Sequence, residues 1–242
     1  MLSTGKDSLS RYMQIKDLLT EKIRNGVWLS GDIIPSEIQL AHELGVSQGT
    51  VRKAITELVE KNILTRKQGR GTFVSIHDEN RALFHFFHIT DDQGEKVLPQ
   101  SRVLRCHRKS ASKWIATKLK LEDAARIIHI ERIRHINNYP IILENLYLPA
   151  ERFEGLGTDR GNPLPNSLYS LYEKQYGIAI HSADEKLKAT LANAHEAKLL
   201  ELTPGAPLLE IERTALTLDS TPVELRISRC NSEQHHYENR IF

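Results

Sequence analysis

The stretch GVSQGTVRKAITELVEKNILTRKQGRGTFV (45–74) decides the fold of the first third of the chain. It holds six Lys and Arg residues against two Glu residues, a local charge of +4 in a 242-residue chain whose formal net charge is +2. A local excess of this kind favours contact with a polyanion, although a solvated basic helix would give the same count.

Helical periodicity runs through the first part of this stretch. Apolar residues recur three and four positions apart, which predicts a helix with one buried face; they are Val51, Ala54, Ile55, Leu58 and Val59. Ser47 is placed to cap the start of this helix. Gly45 suits the left-handed position that ends the helix before it.

Two more helices are predicted upstream. Pro35-Ser36-Glu37 opens one of them, with Ser36 or its neighbour as cap and an apolar stripe at Leu40, Ala41 and Leu44. Another runs from about Tyr12 to Ile23 and stops near Asn25-Gly26. Two helices joined by a short glycine-containing turn, the second polar at its start, form a helix-turn-helix.

A hairpin is predicted after the third helix. Residues 63–66 and 72–75 read as short strands around the cationic, glycine-containing tip 67–71. In a helix-turn-helix the first turns of the second helix reach base edges, so Gln48 and Arg52 are candidates for base contacts. Arg70 at the tip could follow a minor groove or phosphates. The alternative is a small helical domain that binds protein.

The segment PSEIQLAHELGVSQGTVRKAITELVEKNILTRKQGRGTFV resembles the winged helix-turn-helix of the GntR family of bacterial regulators. The resemblance implies DNA contacts at Ser36, Gln48, Thr50, Arg52, Lys53, Arg70 and Gly71. Two positions depart from the family pattern, which often has Arg where this chain has Ile38 and Gln48. These departures imply fewer charged contacts and an operator that differs from the usual family palindrome.

The polar stretch IHDENRAL (76–83) is a predicted linker, and the residues after it alternate between strand-like and helix-like patterns. In ARIIHIERIRHI, Arg132 and Arg134 share the strand face of Ile128 and Ile130. If that face is buried, the two guanidinium groups need anionic partners. Glu144 on the returning strand could neutralise one of them, or the pair could form a cationic pocket for an anionic ligand.

Two helix starts carry cap signals in this half. A helix predicted from Asn166-Ser167 offers a hydroxyl and free amides, which suit an anion, although Ser167 could be only a cap. Asn193 and Glu196 have capping-box spacing and predict a scaffold helix.

The C-terminal half resembles the UTRA ligand-sensing domain of the HutC branch of GntR regulators. The residues that carry this resemblance are Arg132 and Arg134 before NNYPIILENLYLP, SLY (167–169), YGI (176–178) and the final TPVEL…YENRIF. It implies an α+β chain with a winged helix-turn-helix at 1–75, a linker at 76–83 and a chorismate-lyase-like α/β (UTRA) domain at 84–242, which binds the effector and makes the dimer contacts. It also implies that Arg132, Arg134 and Ser167 bind an anion and that Glu144 and Tyr237 bind the rest of the ligand. The tail SRCNSEQHHYENR departs from the family pattern, so Tyr237 and Arg229 are both open candidates for the pocket.

Together these features predict a ligand-responsive transcriptional regulator, a repressor that leaves a palindromic operator when it binds a small anion such as a phosphosugar or a carboxylate. We expect a homodimer that needs no cofactor or metal. No apolar run reaches the roughly 20 residues of a membrane span, and the two cysteines are far apart, so a cytoplasmic protein is expected. The alternatives are a chorismate-lyase-like enzyme and a constitutive DNA-binding protein without a ligand. The sequence has no nucleophile elbow, metal-ligand cluster or glycine-rich phosphate loop that would favour an enzyme.

Overall fold

The computed structural model describes residues 5–29, 31–61, 63–75, 87–92, 98–156 and 164–239, with the side chains of 5–10 left out. The chain divides into two compact units, Met1–His77 and Asp78–Phe242. The linker predicted at 76–83 lies outside the described residues, so the domain bounds stay a prediction.

Three helices form the core of the first unit: α1 (Gly5–Arg24), α2 (Glu37–Leu44) and α3 (Gln48–Glu60). The predicted caps are confirmed. Ser36 caps α2 in a capping box, Gly45 ends α2 at φ 61°, and Ser47 accepts a hydrogen bond from the backbone N–H of Thr50. The buried apolar side chains of this unit are Ile15, Leu19, Ile34, Leu40, Val51, Ala54, Ile55, Leu58, Ile63, Leu64 and Val74. Val59, predicted to be buried with them, is only half-buried.

The hairpin consists of β1 (Leu64–Lys67) and β2 (Gly71–Val74), paired antiparallel. The first strand begins one residue later than predicted because the backbone N–H of Ile63 still bonds to Leu58 O at the end of α3. Ile33 forms a bridge to Phe73, so the segment before α2 adds a third short edge to the wing.

A six-stranded antiparallel sheet forms the framework of the second unit. Its strands are β4 (Gln100–Ser110), β5 (Arg126–Ile136), β6 (Tyr139–Pro149), β7 (Ser182–Leu191), β8 (Pro207–Leu216) and β9 (Pro222–Cys230). Their order across the sheet is β4-β5-β6-β9-β8-β7. Among the described residues, no helix is long and apolar enough to cross a membrane.

Helices cover both faces of this sheet. Helices α4 (Lys113–Leu119) and α6 (Ala194–Leu200) pack on one face, against Ile127 and Leu143 among others. The predicted capping box of Asn193 and Glu196 is present at the start of α6. Helix α5 (Leu168–Tyr176) packs on the other face, where Ile128 and Ile130 are fully buried, so the face that carries the arginines points inward.

A separate two-stranded ribbon closes one end of that inner face. It pairs β3 (Ile89–Asp91) with β10 (His235–Tyr237), which lie more than 140 residues apart in the sequence. Phe87 and Ile89 pack with Ile142, Ile211 and Cys230 of the sheet, and Tyr237 lies against the same cluster. The ribbon therefore lies over the region where the buried arginines lie.

Candidate functional site

The start of α3 presents polar side chains to solvent. Gln48 and Arg52 are exposed, and Thr50 is half-buried with its hydroxyl 2.9 Å from Ser47 Oγ. Ser36 is occupied as the cap of α2, where its hydroxyl lies 2.9 Å from Gln39 Oε1. The Lys53 ammonium lies 4.3 Å from the ring centroid of Tyr12 on α1, so this side chain runs back along the helical core.

Glu37 at the start of α2 joins two cations on this surface. Arg52 Nε donates to Glu37 Oε2 at 2.8 Å, and Arg66 Nη2 donates to Glu37 Oε1 at 3.0 Å and to Thr56 Oγ1 at 3.1 Å. The sequence did not single out Arg66 or Glu37. The carboxylate fixes the direction of Arg52, which remains 59% exposed and open to a further partner.

Arg70 is exposed at the tip of the wing, and its backbone N–H bonds to Lys67 O at 2.9 Å. Gly71 has φ 111°, and a Cβ built there would lie 3.0 Å from Ile33 Cδ1. Both the dihedral angle and the space require glycine at this position. Gly71 therefore shapes the wing, and the side chain of Arg70 beside it is exposed to solvent.

All five residues predicted to bind the effector line one cavity in the second unit: Arg132, Arg134, Glu144, Ser167 and Tyr237. Strand register explains the grouping, because Arg132 pairs with Glu144 and Glu144 pairs with Ser228 across β5, β6 and β9. Ser167 lies at the start of α5, and Tyr237 comes from the ribbon. Of the two tail candidates, Tyr237 lines the cavity. Arg229 lies on the opposite face, where it binds Glu210 at 2.5 Å.

Glu144 is the centre of the buried charges. It accepts a hydrogen bond from Arg132 Nε at 2.5 Å, and its other oxygen lies 3.4 Å from Arg226 Nη1 and 3.9 Å from Arg134 Nη1. Burial alone would raise the pKa of Glu144, but Arg132, Arg226 and Arg134 together hold it well below its ordinary value. The predicted neutralisation by Glu144 is therefore present and is shared among three arginines.

Arg134 is the least satisfied of these groups. It is 2% exposed, its Nε and Nη2 atoms have no hydrogen-bond partner among the described residues, and the Phe87 ring centroid lies 5.1 Å from its Cζ. Burial lowers the pKa of Arg134 to about 9, and Glu144 offsets only part of that effect. Nε and Nη2 form the edge of a guanidinium that matches two oxygens of a carboxylate or phosphate.

Two further arginines of the cavity, Arg213 and Arg226, escaped the sequence reasoning. They lie opposite each other on β8 and β9. Arg213 Nε donates to Glu185 at 2.5 Å, and Arg226 donates to Glu224 through Nε at 2.9 Å. The alternation that placed Arg132 and Arg134 inward applies equally to Glu224, Arg226 and Ser228 and could have revealed them.

The buried groups around the cavity carry a net positive charge. Four guanidinium groups, on Arg132, Arg134, Arg213 and Arg226, face three carboxylates, on Glu144, Glu185 and Glu224. The difference of +1 (four minus three) coincides with the unsatisfied edge of Arg134. A ligand with an anionic group would complete the hydrogen bonding and the charge balance there.

The polar groups that line the cavity differ in kind. Ser167 Oγ accepts a hydrogen bond from the backbone N–H of Ser170 at 3.4 Å, which leaves its proton available to a ligand. The Tyr237 hydroxyl, from the ribbon, donates to Glu185, and the centroid of its ring lies 5.1 Å from that of the His88 ring. The part of the cavity next to Tyr237 suits hydroxyl or amine groups. No group of three metal-ligating side chains occurs within the described ranges.

Both halves of the chain match known families. Residues 11–74 match the gntR family of bacterial regulatory proteins, and residues 93–236 match the UTRA domain. The chain is 31% identical to the transcriptional repressor NagR of Bacillus subtilis, over 95% of each chain. It is also 31% identical to the uncharacterized regulator YurK of the same organism, over 92% of this chain and 91% of YurK.

Solved structures agree with this assignment. The ligand-binding domain of a GntR-family regulator from Bordetella bronchiseptica superposes with a TM-score of 0.59 at 32% identity, covering 65% of this chain and 98% of that domain. The regulator YydK of B. subtilis has a TM-score of 0.57 over 96% of this chain at 22% identity, which shows the shared fold. These relatives are transcription regulators, and none of them is named as an enzyme. The chain belongs to the GntR family of bacterial transcriptional regulators and carries the UTRA effector-binding domain.

Proposed function

We propose that this regulator is a homodimeric repressor that leaves a palindromic operator when a small organic anion enters the cavity of the second unit. The main support for this proposal is the edge of Arg134 formed by Nε and Nη2, which has no hydrogen-bond partner among the described residues. A buried cation with unpaired donors destabilises the fold unless an anion binds to it. Relatives from Escherichia coli are named as repressors for fructoselysine utilization and for mannosyl-D-glycerate metabolism. These names support a sugar-derived effector, a phosphosugar or a sugar carboxylate.

The cavity suggests how such a molecule would lie. Its anionic group would take the free edge of Arg134, with the Ser167 hydroxyl and the first amides of α5 as further donors. Its hydroxyl groups would reach Ser228, on the β9 side of Glu144, and Tyr237 in the ribbon. The assignments of Arg132, Arg134, Glu144, Ser167 and Tyr237 to the effector rest on this placement.

DNA would be bound by the first unit. The exposed start of α3, with Gln48, Thr50 and Arg52, would enter the major groove, and Arg70 of the wing would follow the backbone or the minor groove. Ser36 and Lys53 would contact phosphates, and Gly71 would keep the wing close to them. One such unit covers a half-site, which supports a two-fold dimer on a palindromic operator. Such a protein would work where the chromosome is, in the cytoplasm.

Phe87 is the residue through which we propose that the cavity communicates with the DNA-binding unit. It is the first described residue after the stretch 76–86 that leads from the wing, and its ring covers the guanidinium of Arg134. An anion that binds Arg134 would therefore lie close to Phe87. The ligand needs to favour the non-binding arrangement by only about 1–3 kcal/mol to relieve repression several-fold.

Thermal melting tests the ligand class. The purified full chain would be melted with inorganic phosphate, glucose 6-phosphate, fructose 6-phosphate, gluconate and glycerate in turn. A ligand at 100 times its dissociation constant adds about 2.7 kcal/mol of stability, which a melting curve resolves easily. We expect at least one organic anion to raise the melting temperature in the wild type and not in Arg134→Leu. An equal rise in both proteins would remove Arg134 from the site.

A further inference from the structure

Ile38, in the first turn of α2, is an exposed apolar side chain next to the proposed DNA-binding residues. It is 68% exposed, and among the described residues of α2 and α3 it is the one large apolar side chain that lies open to solvent. Leu40, two positions further along the helix, is fully buried. Two positions correspond to about 200° around the helix axis, so Ile38 points away from the core of the unit. Packing within the unit therefore does not explain an isoleucine at this position.

The residue before Ile38 connects it to the surface that would read DNA. Glu37 accepts a hydrogen bond from Arg52 of α3 at 2.8 Å and another from Arg66 of β1 at 3.0 Å. These two contacts hold the first turn of α2 against the exposed side of α3 and the first strand of the wing. Consecutive Cα atoms lie about 3.8 Å apart, so Ile38 lies directly beside this junction. A duplex that binds Arg52 would therefore come close to Ile38.

An aliphatic side chain can recognise one kind of group on the base edges of the major groove. These edges present hydrogen-bond donors and acceptors, which suit Gln48 and Arg52, and thymine adds a C5-methyl group. Covering a polar edge or a phosphate with isoleucine would leave polar atoms without a hydrogen-bond partner, which is unfavourable. Contact with a thymine methyl group instead removes apolar surface of both partners from water, which is favourable.

We propose that Ile38 reads one thymine in each half-site of the operator through the C5-methyl group of the base. The inference rests on the proposed DNA-binding role of the first unit and adds a sequence-specific contact to it. Cytosine at the same position is also a pyrimidine but lacks the methyl group, so Ile38 discriminates a T·A pair from a C·G pair there.

Removal of single methyl groups from the operator tests this contact. The duplex would be one that the full chain selects from a random pool, and each thymine would be replaced in turn by deoxyuridine, which lacks only the C5-methyl group. We expect one such replacement per half-site to weaken binding of the wild type about fourfold, which is the effect of one buried methyl group. Ile38→Ala should bind the unmodified duplex more weakly, and deoxyuridine at that position should not weaken it further.

Two controls separate this contact from a general loss of stability or affinity. Ile38→Ala removes an exposed side chain and introduces a better helix former, so the melting temperature should not fall. Val27→Ala removes an apolar side chain that is 61% exposed in the turn after α1, and it should retain the wild-type response to deoxyuridine.

Fluorescence anisotropy on each duplex distinguishes the outcomes. A methyl effect in the wild type that disappears in Ile38→Ala would support the contact. An effect of equal size in both proteins would assign the thymine to another residue, such as Thr50, and overturn the inference. Equal binding of the wild type to all the duplexes would overturn it too. A wild-type protein that selects no sequence from the pool would contradict the proposed DNA-binding role itself.

Discussion

Arg132 and Arg134 differ in energetic role although they share a strand face and are both 2% exposed. Arg132 makes a 2.5 Å hydrogen bond to Glu144, whereas Arg134 is 3.9 Å from that carboxylate and has two unpaired nitrogens. Breaking a close buried ion pair leaves an uncompensated charge and is strongly destabilising. Removing an already unsatisfied cation relieves a cost. The two arginines therefore form a matched pair for experiments.

The Arg132→Leu variant should lose about 3–5 kcal/mol of unfolding free energy because Glu144 loses its closest partner. Arg134→Leu should lose little, or gain up to about 1 kcal/mol, because a buried, incompletely paired charge is replaced by an apolar side chain. Urea unfolding of both variants measures the difference. A larger loss for Arg134→Leu than for Arg132→Leu would mean that Arg134 is a structural ion pair and not a ligand-binding group.

Arg52→Ala should weaken binding to a specific operator by about 1–3 kcal/mol, because a base or phosphate contact at the start of α3 is lost. Lys61→Ala is the control, since Lys61 is exposed just after the other end of the same helix, where its ammonium contacts Glu57 at 3.0 Å. Fluorescence anisotropy on operator and on random DNA measures both variants. Equal affinities of Arg52→Ala and the wild type for operator would show that Arg52 forms an ion pair with Glu37 but does not contribute to DNA binding.

At the scale of elements, alanine substitutions at two glycines of the DNA-binding unit should change its stability in opposite directions. Gly71→Ala should destabilise the wing by more than about 1 kcal/mol, because φ is 111° and the new Cβ would press on Ile33. Gly49→Ala in the first turn of α3 should raise stability by up to about 1 kcal/mol through helix propensity, since its nearest contact would be 3.8 Å away. Thermal melting of the two variants measures both changes in stability. A change of the same sign in both variants would contradict the account of the wing.

The ribbon makes a prediction about coupling. Phe87→Leu should retain ligand binding, because Arg134 and Ser167 are unchanged, but it should reduce the effect of ligand on operator affinity. Ile211→Ala, which removes apolar contact from the same cavity, is the control and should weaken ligand binding while leaving the coupling at saturation unchanged. Ligand titrations in the presence and absence of operator separate the two quantities. If saturating ligand lowered operator affinity as much in Phe87→Leu as in the wild type, the coupling would have to pass through another contact.

Local signals in the sequence specified the elements well. Ser36, Gly45, Ser47 and Asn193 were predicted as caps or helix ends, and each has the predicted conformation, because these signals act within one turn of the helix. Alternation likewise placed Arg132 and Arg134 on the buried face. The ribbon was not predicted, since the pairing of Ile89 with Tyr237 depends on strands far apart in sequence. The spacing of residues in the sequence also does not predict the contact between Glu37 and Arg52, because the two side chains lie on different helices.

For the whole molecule, the two units combine distinct chemistries. The first has exposed cations around the start of α3 and a glycine-shaped wing, which are the features of a DNA-reading surface. The second has a buried cavity with a net positive charge and an unsatisfied guanidinium, which are the features of an anion receptor. Their presence in one chain of the GntR family accounts for a DNA-binding protein that responds to a metabolite.

The central claim is that an anion in the Arg134 cavity lowers operator affinity. The direct measurement is the dissociation constant for a DNA duplex that the protein itself selects from a random pool, with and without a saturating amount of the anion that most raises the melting temperature. We predict that the constant rises at least about fivefold in the wild type and does not change in Arg134→Leu. An unchanged constant in the wild type, with the anion demonstrably bound, would contradict the account.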